Sequence, residues 1–300
     1  MSQNNESTTV KIGLCQTATV EWDVEGNFDR ILRDITAAAQ QGAELIITPE
    51  CALNGYAGPG LPDWKSRFPG TTEPMDGSYL TRLRAHIREL QVEVVFGFAE
   101  RGENGAFHNT AVLIDRSGEI VWAYRKIHCR PFESAEHDGL FTPGKQVFAS
   151  DQTYAKGGLR VGAMICFDRE IVESVRCLRG IGAEFIACPL ATNTYSLTDA
   201  ARVGLKADNE LITRARAAEN EVFIAVVNHA GRFNGGSYIV GPMGEILCQL
   251  GTDPEVRTVP VPLGITRHLH KDPLGWMAWN HRRPGVYTTH LGGSNGTSGE

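Results

Sequence analysis

The chain has no Cys-x-x-Cys pair, no run of lysine or arginine, and no apolar segment near the roughly 18 residues that cross a bilayer. Each absence closes a class of function. The seven cysteines (Cys15, Cys51, Cys129, Cys166, Cys177, Cys188 and Cys248) are odd in number and dispersed. That is the pattern of reduced thiols, not of a disulfide framework. Cys129 adjoins His128, but no further ligands fall at metal-site spacing, so neither a metal nor a cofactor is expected. A net charge of −6 and a pI near 5.9 argue against nucleic acid or an acidic membrane as partner. Met1 to Ser7 is polar, without the basic and apolar regions of a secretory leader, which makes the cytoplasm the expected location.

What is present is an ordinary globular composition. Of 300 residues, 42% are hydrophobic and 21% charged, enough to bury a sizeable core. No composition break marks a linker, so one domain is expected over 1–300, with 1–8 and 292–300 as flexible ends.

Strands and helices alternate along the chain. Val10 to Cys15 alternates as a first strand, and Phe28, Ile31, Leu32 and Ile35 fall at helical spacing before Gly42. Ala43 to Thr48 reads as a buried strand stopped by Pro49-Glu50. A helix is expected over Ser78 to Leu90 and a strand over Val92 to Phe98. Phe107 to Ile114 and Glu119 to Tyr124 flank the turn Asp115-Arg116-Ser117-Gly118 as an antiparallel pair, and Gly236 to Leu250 repeats that pattern. Glu184 to Cys188 and Val222 to Val227 are further strands. A helix is expected over Ala207 to Asn220, with Leu211, Ile212, Ala215 and Ala218 on one face. Such alternation, interrupted by hairpins, implies an α/β or α+β layered sandwich.

Three polar residues each follow an apolar strand: Glu50, Lys126 and Cys166. Cys166 ends a short strand, Leu159 to Ile165, with Asp168 as an expected N-cap of a helix over Glu170 to Leu178. A thiol on such a turn sits near unpaired N–H groups and a helix dipole, which favour the thiolate. Strand ends along one sheet edge converge in space. A buried Glu can take the thiol proton, and a lysine ammonium with the N–H after the nucleophile can hold an oxyanion. Together they would transfer an acyl group through a thioester. The bland alternatives are a small buried cysteine, a strand-ending glutamate and a surface lysine.

Several patches resemble, in order, the nitrilase (carbon–nitrogen hydrolase) superfamily. They are Gly42 to Glu50, Asn54-Gly55-Tyr56, Tyr124 to His128, Cys166 to Glu173, Arg214 to Asn220, Asn228, Gly236-Ser237 and Pro242-Met243-Gly244. The resemblance spans about Val10 to Tyr287. It implies a four-layer αββα sandwich that assembles into homodimers or larger homo-oligomers. It also implies Cys166 as nucleophile, Glu50 as general base, and Lys126 with the Phe167 N–H as oxyanion hole. The family often adds a second Glu in the loop after the lysine. Glu136 and Glu133 are the candidates, and the spacing to Pro143-Gly144 favours Glu136.

Phe167-Asp168 departs from the Trp-Glu that follows the nucleophile in true nitrilases and is closer to the amidase and carbamoylase branches. Relatives acting on N-carbamoyl amino acids carry two arginines where this chain has Arg169-Glu170. Arg169 is therefore either half of a carboxylate clamp or a structural ion-pair partner. Tyr56, Arg169 and Asn193 are candidate substrate contacts. The reading is a cofactor-independent thiol amidohydrolase of small carboxamides. The alternatives are an N-carbamoyl amine or amino-acid hydrolase, a nitrilase, a catalytically silent scaffold and a redox-sensing thiol protein.

Overall fold

Two β-sheets lie face to face, with helices on their outer sides. The computed structural model describes residues 9–58, 61–150, 158–192 and 209–291; both expected flexible ends, and Asn193, lie outside the described residues. The first sheet holds β1 (Thr9–Gln16), β2 (Leu45–Ile47), β3 (Glu93–Arg101), β4 (Phe107–Ile114), β5 (Ile120–Arg125) and β11 (Glu255–Pro262). Its order is β11-β1-β2-β3-β4-β5. The second holds β6 (Val161–Ala163), β7 (Phe185–Pro189), β8 (Phe223–Val227), β9 (Tyr238–Val240) and β10 (Ile246–Gln249), in the order β10-β9-β8-β7-β6. Each sheet has a parallel trio, β1-β2-β3 or β6-β7-β8, extended by an antiparallel hairpin.

Period-2 alternation decides which layer each strand residue enters. Val10, Ile12 and Leu14 of β1, Leu45 and Ile47 of β2, and Val95 of β3 join the core shared with the second sheet. Their neighbours Cys15, Ile46, Val94, Phe96 and Phe98 face the other way. There they pack against α1 (Val24–Gln40) and α2 (Ser78–Leu90) through Phe28, Ile31, Ile35, Leu80, Leu83 and Ile87. The second sheet is covered by α3 (Val172–Gly180) and α4 (Asn209–Asn220), which contribute Val175, Leu178 and Ala217. The result is helix, sheet, sheet, helix. No helix among the described residues is long and apolar enough to cross a membrane.

Three details differ from the sequence reading. β11 was not expected, because Pro260 and Pro262 interrupt its pattern; it pairs antiparallel with β1 at the sheet edge, where a missing N–H is tolerated. The buried face of α4 is Thr213, Ala217 and Asn220, while Leu211 is exposed. Small residues let that helix lie close to its sheet. Third, α3 begins only at Val172 and has no side-chain cap; Asp168 serves elsewhere.

Gly97 of β3 lies under the end of β2. A Cβ there would stand 2.3 Å from the Pro49 carbonyl oxygen and 3.2 Å from Glu50 Cα, both backbone atoms. A Gly97→Ala variant should therefore lose about 1–3 kcal/mol in urea unfolding through overpacking. Gly70→Ala, where no atom lies within 4 Å of the new Cβ, should change it by less than about 0.5 kcal/mol.

Candidate active site

Glu50 follows β2, Lys126 follows β5, and Cys166 follows β6. The first two sit on one sheet and the thiol on the other. They converge across the sandwich interface, not along a single sheet edge as the sequence suggested. All are buried: Glu50 0%, Lys126 1% and Cys166 7% exposed.

Lys126 Nζ lies 2.9 Å from Glu50 Oε1 and 3.0 Å from each carboxylate oxygen of Glu133. The second glutamate beside the lysine is thus Glu133. Glu136, favoured by spacing, is exposed. The reason is a tight turn: the N–H groups of Glu133 and Ser134 both donate to the Arg130 carbonyl, and Arg130 N donates to Glu133 Oε2 at 2.9 Å. This folds Glu133 back under Lys126. Tyr56, in a left-handed conformation (φ 50°), donates its hydroxyl to the same carboxylate.

Glu50 Oε1 also accepts from Asn109 Nδ2 at 2.6 Å, whereas Oε2, equally buried, has no hydrogen-bond partner among the described residues. Asn109 sits on β4, between the strands that carry Glu50 and Lys126, and its carbonyl accepts from Lys126 N at 2.8 Å. Sequence reasoning missed it; its one signal was the polar stretch His108-Asn109-Thr110 in an otherwise apolar strand.

Burial raises the Glu50 carboxyl above the usual carboxylate range; Lys126 draws it back and Glu133 pushes it further up. Burial alone would lower Lys126, but the two carboxylates hold its ammonium well above the ordinary value. Cys166 behaves opposite to expectation. It opens a 3₁₀ turn, Cys166–Glu170, with φ 49°, which brings a strained elbow but only five residues of helix. Burial first, then Glu50, push its thiol far up, more than Lys126 and Arg169 pull it down. These surroundings favour the thiol over the thiolate.

Asp168 ties the elbow to the lysine segment. Its Oδ2 accepts from Tyr124 Oη at 2.6 Å and Ile165 N at 2.9 Å; its Oδ1 accepts from His128 N at 2.9 Å and lies 2.8 Å from His128 Nδ1. Through the Ile165 N–H it caps its own 3₁₀ turn, and it does not cap α3. Arg169 is buried, and its Nε and Nη1 have no hydrogen-bond partner among the described residues. Phe167 lies beneath the Arg130 guanidinium, 4.9 Å from its ring centre.

His229, which follows β8, is fully buried with Nε2 2.7 Å from the Glu50 carbonyl oxygen and Nδ1 2.6 Å from Thr19 Oγ1. Burial lowers its pKa to about 3 from an ordinary 6.5, so the ring is neutral. Surface grooves of about 510, 890 and 530 Å³ lie around His108 and Lys145, around Arg84 and Arg101, and around Asp29 and Arg33, and none of the three is lined by Glu50, Lys126 or Cys166.

A layered α/β sandwich with a thiol, an ammonium and carboxylates buried at its centre defines a hydrolase that works through cysteine. A family model for carbon–nitrogen hydrolases matches residues 11–271, and the chain belongs to that family. It is 34% identical over 256 residues to an (R)-stereoselective amidase of Pseudomonas sp., covering 83% of this chain and 84% of that one. It is 27% identical over 243 residues to an omega-amidase of Homo sapiens, covering 76% and 79%. Among solved structures, an amidase from Nesterenkonia sp. AN1 superposes with a TM-score of 0.75 at 25% identity, covering 95% of this chain and 98% of that one. That structure shows covalent addition of the acetamide moiety of fluoroacetamide at the active-site cysteine.

Two outcomes follow from the site's polar contacts. Asp168→Asn cannot accept from all four donors, and should lower stability by roughly 2–4 kcal/mol in urea unfolding; a change within error would remove Asp168 from its tying role. For His229 the unfolded chain takes up a proton below pH 6.5 that the folded ring refuses until about pH 3. Stability is therefore lost as pH falls through that window. A His229→Gln variant lacks this dependence. The stability gap between wild type and variant should narrow by about 2 kcal/mol between pH 7 and pH 5.

Proposed function

We propose that this protein hydrolyses a small carboxamide through a thioester on Cys166, with Glu50 as general base. One observation carries the reading: Glu50 Oε2 is buried with no hydrogen-bond partner among the described residues, in a cluster that favours the thiol over the thiolate, while Oε1 is tied down by Asn109 and Lys126. A free carboxylate oxygen near a thiol is a proton acceptor. Glu50, its affinity for a proton already raised by burial, takes the Cys166 proton as sulfur attacks the amide carbon. The oxyanion is held by the Lys126 ammonium and the Phe167 N–H. Collapse of the intermediate breaks the C–N bond, and Glu50 returns its proton to the leaving nitrogen, releasing ammonia or an amine. Water then gives a proton to Glu50 as it attacks the thioester, and the sulfur leaves with that proton to restore the thiol. Glu133 holds Lys126 in place throughout and keeps it charged.

The relatives support an amide as substrate. A variant of the Nesterenkonia amidase with one cysteine replaced by alanine is known in complex with butyramide; that structure superposes with a TM-score of 0.74 at 25% identity. Hydrolysis of an N-carbamoyl amine or amino acid is the second reading, favoured by Arg169, a buried guanidinium with two nitrogens that have no hydrogen-bond partner among the described residues and whose charge reaches Cys166. Tyr56, bonded to Glu133, is read as a wall of the substrate site.

We also read the chain as one domain acting in the cytoplasm as a homodimer or larger homo-oligomer. The seven free thiols support the location, and the exposed Leu274 and Trp276, at 68% and 77%, support an apolar contact between subunits. A monomer mass by light scattering would remove the assembly, and recovery from a periplasmic extract would remove the location.

The test is mass-spectrometric product analysis on carboxamides, N-carbamoyl amines and amino acids, and nitriles. Carboxamide turnover should fall at least about 10⁴-fold in Cys166→Ala and about 10³-fold in Glu50→Gln. Glu133→Gln should lose about 10²-fold, whereas Glu136→Gln should stay within about twofold of wild type. Turnover confined to N-carbamoyl compounds would replace the first reading with the second, and turnover surviving in Cys166→Ala would sink both.

A further inference from the structure

We propose that His229 is a positioning residue that sets the Glu50 carboxylate against the Cys166 thiol across the two sheets. The inference rests on Glu50 being the base. Glu50 belongs to the first sheet and Cys166 to the second, so strand pairing within either sheet cannot fix their separation. The chain at Glu50 is also poorly supported: it precedes Cys51, a non-glycine residue at φ 46°, and Glu50 N reaches the Leu190 carbonyl only at 3.4 Å. Such a backbone persists only where its surroundings over-determine it.

His229 supplies that hold. A carbonyl oxygen can only accept, so Nε2 carries the proton donated to Glu50 O at 2.7 Å. Nδ1 is then the acceptor for the Thr19 hydroxyl at 2.6 Å. The Glu50 carbonyl thus sets the tautomer, and the Thr19 hydroxyl, free to donate, holds the ring in the orientation that grips Glu50. The imidazole is neutral, and brings no cation to compete with Lys126 for the carboxylates. Its ring meets Phe233 at 5.2 Å, and Phe233 meets Tyr56 edge-on at 5.6 Å, whose hydroxyl donates to Glu133. One side chain thus underlies both carboxylates that face Lys126.

The anchor is itself rigid. Asn228, the preceding residue, donates its amide to the carbonyls of Thr192, Phe233 and Gly235 at 2.8, 3.1 and 2.8 Å, and accepts from Thr192 N and His229 N. His229 therefore moves with the end of β8, two strands from β6 and its thiol. Displacement of a reacting group by about 1 Å costs on the order of 10²-fold in rate, so loss of this hold should appear in kcat.

The experiment measures kcat and KM for ammonia release from propionamide, with melting temperatures recorded alongside. His229→Phe keeps a ring against Phe233 but removes the donor; kcat should fall about 10- to 100-fold with KM within about threefold. His229→Gln, whose amide can donate to the Glu50 carbonyl, should recover to within about fivefold of wild type. Thr19→Val, which leaves the imidazole in place but unoriented, should lose about threefold or more in kcat. The proposal is overturned if folded His229→Phe retains kcat within twofold of wild type, or if His229→Gln is no faster than His229→Phe. Should His229→Phe fail to fold, an unchanged kcat in Thr19→Val overturns it. Glu50→Gln separates the two claims: retained turnover there removes the base assignment, while lost turnover with an unaffected His229→Phe removes the positioning role alone.

Discussion

A lysine ammonium buried between two carboxylates is the constraint on which the centre of this protein depends. Taking Lys126, Glu50 and Glu133 out of water carries a large desolvation penalty, which their mutual 2.9–3.0 Å contacts help to offset. The cluster carries one more negative charge than positive. Its excess falls on Glu50 and on the thiol beside it: burial and neighbouring carboxylates make both reluctant to ionise. The same surplus that makes the cluster costly to bury makes the carboxylate a stronger proton acceptor. Asn109 and Tyr56 satisfy further carboxylate lone pairs, leaving one buried oxygen of Glu50 without a hydrogen-bond partner among the described residues.

The sandwich architecture creates a second problem. Hydrogen bonding sets strand registry within each sheet, but side-chain packing alone sets one sheet against the other, and packing is less directional. Polar contacts crossing that interface at the site supply the missing direction. Asp168, on the second sheet's elbow, accepts from Tyr124 and His128 on the lysine side. His229, at the end of β8, reaches the Glu50 carbonyl. Dry apolar layers formed by Val10, Ile12, Leu14, Phe185 and Ala187 surround these contacts and strengthen them by excluding water.

Much of this was legible from local pattern. The strand of Val10 to Cys15, the helix of Ser78 to Leu90 and both hairpins follow from period 2, period 3.6 and turn residues, and all are present. β11 was not legible, because prolines mask a strand whose edge position only the assembled sheet reveals. The outward turn of Leu211 was hidden for a related reason: an apolar residue on a helix names no face until the partner surface is known. Glu50, Lys126 and Cys166 were readable as polar residues ending apolar strands. Asn109, Thr19 and His229 were not, since their partners lie 59, 210 and 179 residues away in the chain.

By itself the sequence determined the order of strands and helices, the alternation that sorts side chains into layers, and which strands end in a thiol, an ammonium or a carboxylate. These are properties of neighbouring residues, and short-range sterics and hydrophobic periodicity suffice to set them. Only the tertiary structure decided that Glu133 and not Glu136 meets Lys126, that the surroundings of Cys166 favour the thiol, and that Asp168 ties two segments together instead of capping α3. Each depends on burial and on distances between groups far apart in the chain. Desolvation and Coulomb interaction act through space, and spacing along the chain does not measure them.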